Sequence, residues 1–450
     1  MGRDTTETSP LVPRAGDDQR GGWLETMKLV GTAGAGLLAD GYDLSVINMA
    51  LTILEKLYPT DMTASTKGLV ASMTLVGVIV GQVTFGTIAD IVGRKAAAIA
   101  TTTLTIGGAI ASSCVFQGGA WSLGLQLVLC RFVLGLGIGG EYPLSATISK
   151  EVGPEVLKLT RSQLLIMNMM TFNIGVAIQS ILTIALLSCH MDLGSVWRLM
   201  FACGAAPAFL AFVLRLQMEE PDATDLEGVV HERRDRQSWQ HELLKVIESR
   251  WAILLGACLS WMLFNFVSYG EGTFSSVIAE AFLGKEDDTL RGALSRDAVF
   301  VFVQSICSIG GNLLGMFLEP KITRRDMQVL GFAGLALVNW LDGGLYQVLY
   351  ARSAWTLALI FFLGSFCTSL LGITTYLVPT ENFPPIARGT CVGLAAASGK
   401  VGAALGAGLF PVTEYTLGLS SVMLFCGFVM LAGCFLTWNL TPAYSSKAVY

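Results

Sequence analysis

The sequence predicts an all-α membrane protein with twelve transmembrane helices in two halves of six. The first observation is composition: 53% of the 450 residues are apolar and 14% are charged, whereas soluble domains carry about 25% charged residues. The second is a series of twelve apolar runs, each close to the roughly 20 residues needed to cross a bilayer. The third is a single long polar segment, residues 218–250, which divides the runs into six and six.

The predicted elements follow these runs along the chain. The N-terminal half at 26–217 and the C-terminal half at 251–440 flank a central loop at 218–250, with a disordered tail at 1–25 and a short tail at 441–450. The predicted spans are 26–55, 67–90, 95–116, 120–149, 161–189, 196–217, 251–275, 297–319, 328–350, 354–379, 390–414 and 419–439.

Basic residues are concentrated in alternate loops and so predict the orientation. One side carries the arginines of the N-terminal tail, Arg94, Lys95, the cluster from Arg233 to Arg250 and Arg388, while the other side carries few, among them Lys56. Cytoplasmic loops of membrane proteins are enriched in Lys and Arg. Both termini and the central loop are therefore expected to be cytoplasmic, while the membrane of residence, plasma or internal, stays open.

Ionisable side chains lie inside several predicted spans. They are Asp40 and Asp43 in the first, Arg131 and Glu141 in the fourth ("RFVLGLGIGGEYPLSATIS") and Lys400 in the eleventh. Such groups are costly in a bilayer and usually face a cavity that carries an ion or a solute. Because Arg131 and Glu141 are ten residues apart, about 15 Å along a helix, each needs a partner on another helix. The alternative for the carboxylates and Arg131 is a static structural role.

Six plus six helices around a central loop are typical of transporters built from repeats, whose site lies between the halves near the bilayer midplane. A carboxylate in such a site can bind and release a proton as its surroundings change. The three histidines, His190, His231 and His241, lie in predicted loops. Glu141 is therefore the candidate proton carrier.

A loop motif follows the second span. "GTIADIVGRK" has the spacing G-x-x-x-D-x-x-G-R-K and resembles the signature loop of the major facilitator superfamily, with Asp90 and Arg94 in the charged positions. In the second half "GMFLEPKITRRD" is a partial copy, with Glu319 and Arg324 in those positions. The resemblance implies the major facilitator fold and a gating or structural role for Asp90 and Arg94. A gating or structural role is also expected for Arg131, because it is an ionisable group inside the fourth span.

Further motifs resemble the phosphate:proton symporter family over most of the chain. They are "LLADGYDLSVINMAL", "GIGGEYPLSATISKE", "WMLFNFVSY", "YLVPTENFPPIARGT" and "GLAAASGKVGAALGAG". The resemblance implies a proton-coupled transporter, with Asp40, Asp43 and Glu141 as the candidate proton-coupling residues. It implies a substrate site that keeps Tyr142, Trp261, Tyr269 and Lys400, and Asn173 and Asn265 are further candidates for that site.

Three positions depart from that family. Asn265 stands where the family has an Asp, Gly372 where it has an Asn, and Phe172 where it has a Gln, with the amide of Asn173 adjacent. Trp261, Asn265 and Tyr269 are spaced to share one helix face, for which packing is the alternative to a site. These departures leave the substrate open.

The sequence therefore predicts a secondary active transporter that moves inorganic phosphate or a related anion by proton symport with alternating access. Glu141 is expected to carry the proton and Lys400 to pair with the anion. Two alternatives stay open: a proton-coupled sugar or organic-ion transporter, because "PTENFP" resembles the loop of sugar porters, and a sensor that binds without transport.

Enzymatic activity is not expected. The sequence has no Ser-His-Asp set, no metal cluster and no histidine inside a predicted span, and we predict neither a cofactor nor a metal site. The expected partners are the small solute, protons and the lipid bilayer. Nucleic-acid binding is not expected, because the net charge is −5 and is spread over loops. The protein is expected to function as a monomer.

Overall fold

The structure is a computed structural model that describes residues 19–118, 121–151, 160–218, 236–272, 279 and 289–443. Within these ranges the regular structure is helical. The helices are α1 (Gln19–Leu57), α2 (Ala64–Ile91), α3 (Arg94–Cys114), α4 (Leu123–Glu151), α5 (Arg161–Ser188), α6 (Leu193–Leu216), α7 (Arg236–Gly272), α8 (Leu290–Leu318), α9 (Arg324–Arg352), α10 (Ala354–Asn382), α11 (Pro385–Leu417) and α12 (Leu419–Leu440).

Each of these twelve helices contains a segment long and apolar enough to cross a membrane. In a bilayer the backbone has no water to bond with, so a chain with this composition satisfies its N–H and C=O groups within helices. The prediction of an all-α membrane protein with twelve spans is confirmed. Large apolar side chains such as Leu359, Phe428 and Phe435 lie exposed on the outside of the bundle, where lipid would contact them.

The ends of two predicted segments are wrong. Helix α1 begins at Gln19, so residues 19–25 are helical and not part of a disordered tail. Residues 236–250, expected in the central loop, form the first part of α7 and join its apolar part at a kink at Arg250. His241, predicted to lie in a loop, is therefore helical, and its side chain is exposed. Residues 1–18, 219–235 and 444–450 lie outside the described ranges.

Local sequence explains where several helices begin. Thr63, Thr160 and Thr289 each precede a helix, and the hydroxyl of each accepts a hydrogen bond from a backbone N–H of the first turn. A helix start leaves such N–H groups without intrahelical partners, and Thr is a favoured residue there. Gly93 turns the chain between α2 and α3 with φ 119°, a conformation that favours glycine.

The two halves repeat one packing scheme. In the N-terminal half α1 packs on α5, α2 on α4 and α3 on α6; in the C-terminal half α7 packs on α11, α8 on α10 and α9 on α12. Glycine allows the backbones of the first pair in each half to approach closely. A Cβ at Gly175 would clash with the carbonyl of Leu38, and one at Gly402 with that of Met262. The repeat explains why the loop motif has a partial copy in the second half.

Between the halves, α2 packs against α11 and α5 against α8. Helix α1 begins and helix α12 ends on the same face of the bundle, which is called the terminal face here. The other face is called the opposite face. At the terminal face the approach is again backbone to backbone: a Cβ at Gly86 would clash with the carbonyl of Gly389, and one at Gly393 with that of Gln82. At the opposite face Arg291 donates to the carbonyls of Leu187 and Met191.

Candidate functional site

A cavity of about 180 Å³, lined by both apolar and polar side chains, lies between the two halves. Helices α4 and α5 supply one wall, and α7, α8, α10 and α11 supply the rest. The volume suits a small solute, because pockets for drug-sized ligands measure about 300–1,000 Å³. The lining residues are Tyr142, Met169, Phe172, Asn173, Trp261, Phe264, Asn265, Ser268, Tyr269, Ser308, Asn312, Thr368, Ser369, Gly372, Ile373 and Lys400.

All six residues predicted to bind substrate line this one cavity. Trp261, Asn265 and Tyr269 share a face of α7, as their spacing indicates, and Lys400 approaches from α11. Tyr142 and Asn173 come from the N-terminal half, so both halves contribute to the site. The three positions that depart from the phosphate:proton symporters, Phe172, Asn265 and Gly372, line the cavity too.

Lys400 provides the cavity's positive charge. Its side chain is buried, with 4% exposed, and its Nζ donates to the hydroxyl of Tyr269 at 2.7 Å. The same nitrogen lies 4.8 Å from the ring centroid of Tyr269 and 5.6 Å from that of Tyr142, within the range of a cation–π interaction. Among the described lining residues there is no Asp or Glu. Lys400 is therefore the basic side chain of the described lining and can attract an anion, while Asp40, outside the lining, lies within electrostatic reach of it.

Aromatic rings and hydroxyls hold the N-terminal wall in place. Tyr142 meets Trp261 edge to face, with ring centroids 6.1 Å apart, and Tyr376 in the same way at 6.5 Å. The hydroxyls of Tyr376 and Ser145 are hydrogen-bonded at 2.7 Å. These contacts connect α4 to α7 and α10 across the interface between the halves. A movement of one half against the other must therefore change the shape of the cavity.

Glu141 does not line the cavity and is paired with Arg215. The guanidinium of Arg215 contacts both carboxylate oxygens, Nη1 to Oε1 at 2.7 Å and Nη2 to Oε2 at 2.5 Å. Thr101 donates to Oε1 at 2.8 Å, and Arg215 also donates to the carbonyl of Ala98 at 3.1 Å. Both charged side chains are buried. Arg215 is the partner on another helix that the sequence required of Glu141 but did not identify.

Asp40 and Asp43 are buried on α1, and neither carboxylate has a hydrogen-bond partner within the described residues. The charges of Glu141, Arg215 and Lys400 act on Asp40. Asp43 is within reach of the charge of Arg131, whose guanidinium stacks on Phe201 at 3.7 Å from the ring centroid. Within the described residues, the structure thus brings all three predicted proton-coupling carboxylates close to an arginine.

Asp90 and Arg94 join the halves at the terminal face. The carboxylate of Asp90 accepts hydrogen bonds from the backbone N–H of Gly389 at 3.1 Å and from the N–H and hydroxyl of Thr390, both at 2.8 Å. Arg94 donates to the carbonyl of Pro385 at 3.0 Å. The loop after α2 therefore holds the first turns of α11, as a gate contact would.

The partial copy of the motif makes the corresponding contact in the second half. Arg324 donates to Glu319 at 2.7 Å, to Glu381 at 3.0 Å and to the hydroxyl of Ser162 at 2.8 Å. Thr160, which caps α5, lies 3.3 Å from the Glu319 carboxylate. Two corresponding charged contacts thus lie at the terminal face, one for each half.

Sequence reasoning missed several residues that complete the site. Arg215 lies in the last turn of the predicted sixth span, where it resembles an ordinary basic flank. Ser308, Asn312 and Ser369 line the cavity from α8 and α10. These residues could have been suspected because each is a polar side chain inside a predicted span. Only the packed helices show which of the polar side chains face the cavity.

Twelve membrane-spanning helices in two repeats around this cavity define an integral, multi-pass membrane transporter. The chain belongs to the family described as "Sugar (and other) transporter", whose model matches residues 29–222 and 225–449. This confirms the predicted membership of the major facilitator superfamily, and members of this family transport solutes and are not enzymes.

The chain is also similar to individual transporters. It is 28% identical over 416 residues to glycerophosphoinositol permease 1 of Candida albicans, which covers 91% of this chain and 77% of the relative. It is 28% identical over 442 residues to an inorganic phosphate transporter of Toxoplasma gondii, covering 96% and 75%. The solved structure of the proton:xylose symporter XylE, a protein of E. coli, superposes with a TM-score of 0.77 at 18% identity, covering 94% and 97% of the two chains.

Proposed function

We propose that this transporter moves inorganic phosphate, or a related phosphate-bearing anion, together with protons. The observation that carries the proposal is Lys400, a buried ammonium group in a cavity whose described lining residues include no carboxylate. A charge in such surroundings attracts an opposite charge far more strongly than it would in water. The relatives support the same solute class, since their names specify inorganic phosphate and glycerophosphoinositol.

The ion pair between Glu141 and Arg215 favours a proton-coupling route in which Asp40 and Asp43 also take part. Neutralising Glu141 alone would leave Arg215 buried without a counter-charge, which is unfavourable. Asp40 lies within electrostatic reach of both Glu141 and Arg215, and its carboxylate has no hydrogen-bond partner within the described residues. In the proposed cycle Arg215 turns from Glu141 to Asp40 as the proton moves from Asp40 to Glu141, and Asp43 with Arg131 responds on the other side of α1.

The terminal face is proposed to be cytoplasmic, because the basic loops lie there. The contacts of Asp90 with α11 and of Arg324 with Ser162 and Glu381 then form the cytoplasmic gate. Opening this gate while the opposite face closes would expose the cavity to each side in turn, as alternating access between two repeats requires.

A neutral, hydroxyl-rich solute is the second candidate. The cavity holds three amides, of Asn173, Asn265 and Asn312, beside the indole of Trp261. Such groups donate and accept hydrogen bonds without requiring a charge on the ligand. A sensor that binds without transport is the third candidate, and flux measurements distinguish it from the other two.

Lys400→Ala tests the anion proposal. Hydrogen bonds to charged groups contribute about 1.5–3 kcal/mol, so we expect phosphate affinity to fall about 10- to 100-fold. The measurements are the phosphate-dependent rise in melting temperature of the purified protein and the uptake of labelled phosphate into proteoliposomes. Lys67→Ala is the matched control, since that lysine pairs with Glu55 away from the cavity.

Three results would contradict the proposal. Unchanged phosphate affinity in Lys400→Ala would return the lysine to a structural role. A parent protein that responds to sugars and not to phosphate would favour the neutral solute. Binding of phosphate without uptake under an imposed pH gradient would favour the sensor.

A further inference from the structure

A second, smaller polar pocket lies inside the C-terminal half, toward the opposite face. Its volume is about 20 Å³, and helices α7, α8, α9, α10 and α12 form its walls. Two carboxylates line it, Glu271 from α7 and Asp342 from α9, together with the amides of Gln304 and Asn339 and the hydroxyl of Ser365. These five residues define what we call the acidic pocket.

Buried polar atoms in the acidic pocket have no hydrogen-bond partner within the described residues. They are Oδ1 of Asp342, Oε1 of Glu271 and Oγ of Ser365. Asp342 is 5% exposed and Ser365 is 4% exposed, so water outside the protein does not compensate them. Buried polar groups nearly always have a partner, and one without a partner costs about 1–3 kcal/mol. Three such atoms around one small space point to a ligand.

The carboxylates of the acidic pocket have no cationic neighbour in the described lining, which includes no Lys or Arg. The carboxylate of Asp342 acts on that of Glu271. Helices α8 and α10 contribute amide and hydroxyl groups to the lining, and from α12 the one titratable group within reach of Glu271 is the thiol of Cys426. Two carboxylates in this setting favour a bound cation.

We propose that the acidic pocket binds one Na⁺ ion, in competition with protons. Carboxylate, amide and hydroxyl oxygens are the ligands that hard cations prefer. The volume exceeds the roughly 10–15 Å³ that a single water molecule needs and leaves little space for a larger ion. A monovalent ion also suits a transport cycle, in which binding must be weak enough to permit release.

Two features connect the acidic pocket to the central cavity. Thr368 of α10 lines both. Glu271 follows Tyr269 by two residues on α7, and Tyr269 accepts the hydrogen bond of Lys400. An ion held between α7, α9 and α10 would therefore fix two walls of the central cavity. The proposal concerns cation binding alone and does not depend on which solute the central cavity takes.

The test is a thermal-shift titration of the full-length purified protein without phosphate, at constant ionic strength. A ligand that binds the folded state raises the melting temperature in proportion to the logarithm of its concentration above Kd. When Na⁺ replaces choline we expect the melting temperature to rise with the logarithm of the Na⁺ concentration, and we expect no comparable rise with K⁺. The rise should shrink as pH falls, because protonated carboxyls bind a cation poorly.

Variants locate the ion. Asp342→Asn and Glu271→Gln should each raise, at least tenfold, the Na⁺ concentration needed for a given rise in melting temperature. Asp61→Asn, near the loop after α1, should leave that concentration unchanged. Ser365→Ala keeps both charges, removes one oxygen ligand and should weaken the response several-fold, so it serves if the charge variants do not fold. An equal rise with K⁺, a full Na⁺ response in all three pocket variants, or a logarithmic rise with Ca²⁺ and none with Na⁺ would overturn the proposal.

Discussion

Away from the loop motifs of Asp90 and Arg324, the two halves bury carboxylates in different ways. In the N-terminal half Glu141 is held by Arg215 through two hydrogen bonds, and Asp43 lies within reach of Arg131. In the C-terminal half Glu271 and Asp342 share a pocket that includes no Lys or Arg among its described lining residues. A carboxylate next to a fixed arginine keeps a constant charge unless the arginine moves. One without an arginine can change its charge by binding a proton or an ion.

This difference means that a repeated fold need not repeat its chemistry. Helix pairs, backbone contacts and the charged loop motifs correspond between the halves, because packing is what both copies must satisfy. Away from those motifs the buried carboxylates do not correspond. Under the proposed proton and Na⁺ roles, each half would respond to a different ion while the two move as one transporter.

The largest effect is expected for Glu141→Gln. It leaves Arg215 buried without its counter-charge, and breaking a buried pair in this way costs about 3–5 kcal/mol. We expect a clear loss of thermal stability in detergent and no uptake driven by a pH gradient, while counterflow exchange of solute stays measurable in the folded fraction.

The control is the double variant Glu141→Gln with Arg215→Met. Removing both charges should recover much of the stability, since apolar groups often replace a buried ion pair without loss, but it should not restore gradient-driven uptake. Full gradient-driven uptake in Glu141→Gln alone would disprove the role of this carboxylate in coupling.

A middle-sized effect is expected for Asn265→Asp, which places a carboxylate in the central cavity beside Lys400. As pH rises the new group ionises and repels an anion, so phosphate binding should weaken at high pH by on the order of tenfold relative to the parent protein. At low pH the two proteins should bind alike. Binding titrations over roughly pH 5 to 8 measure this.

Phosphate itself ionises in this pH range, and this affects its binding to both proteins. The difference between the curves of Asn265→Asp and the parent protein therefore isolates the effect of the new carboxylate. Identical curves for the two proteins would show that the side chain at position 265 does not act on the ligand. A change in sugar binding with no response to phosphate at any pH would favour the neutral solute.

The smallest effect is expected for Asp342→Asn measured for stability in the absence of Na⁺. No arginine or lysine in the described lining loses a partner, and repulsion with Glu271 decreases, so the melting temperature in choline should stay level or rise slightly. A loss as large as that of Glu141→Gln would show that Asp342 has a buried cationic partner, and the contrast between the halves would fail.

Most of the fold could be predicted from the sequence, because span length and apolar composition are local properties. The start of α7 could be predicted only in part: the second half of the polar segment 231–250 has helical spacing, but its continuity with the seventh span was not predicted. The helix packs on the C-terminal half, where Trp239 donates to the carbonyl of Ile386 at 3.1 Å and Arg250 donates to that of Asn382. Its position therefore depends on contacts with α10 and α11.

The residues around the central cavity could be predicted in part. Motif resemblance identified six residues, from Tyr142 to Lys400, that converge on one space. Arg215 could not be matched to Glu141, because they are 74 residues apart in sequence and only the packing of α4 and α6 near α3 brings them together. Asp342 could have been predicted as a candidate functional residue, since an acidic residue inside a predicted span is unusual wherever it occurs.

The glycines at the terminal face have a consequence for the energetics of the cycle. Gly86 of α2 and Gly389 of α11 touch through their backbones, and a Cβ on either would meet the other's carbonyl. An added methyl group there penalises only the conformation in which these helices touch. A penalty of about 1.4 kcal/mol would change the ratio of the two conformations tenfold. We expect Gly389→Ala to shift the resting population toward the form open at the terminal face, measurable as faster labelling of a cysteine placed in the cavity. One added carbon atom that does not contact the solute would then change the fraction of time that the transporter spends open to each side of the membrane.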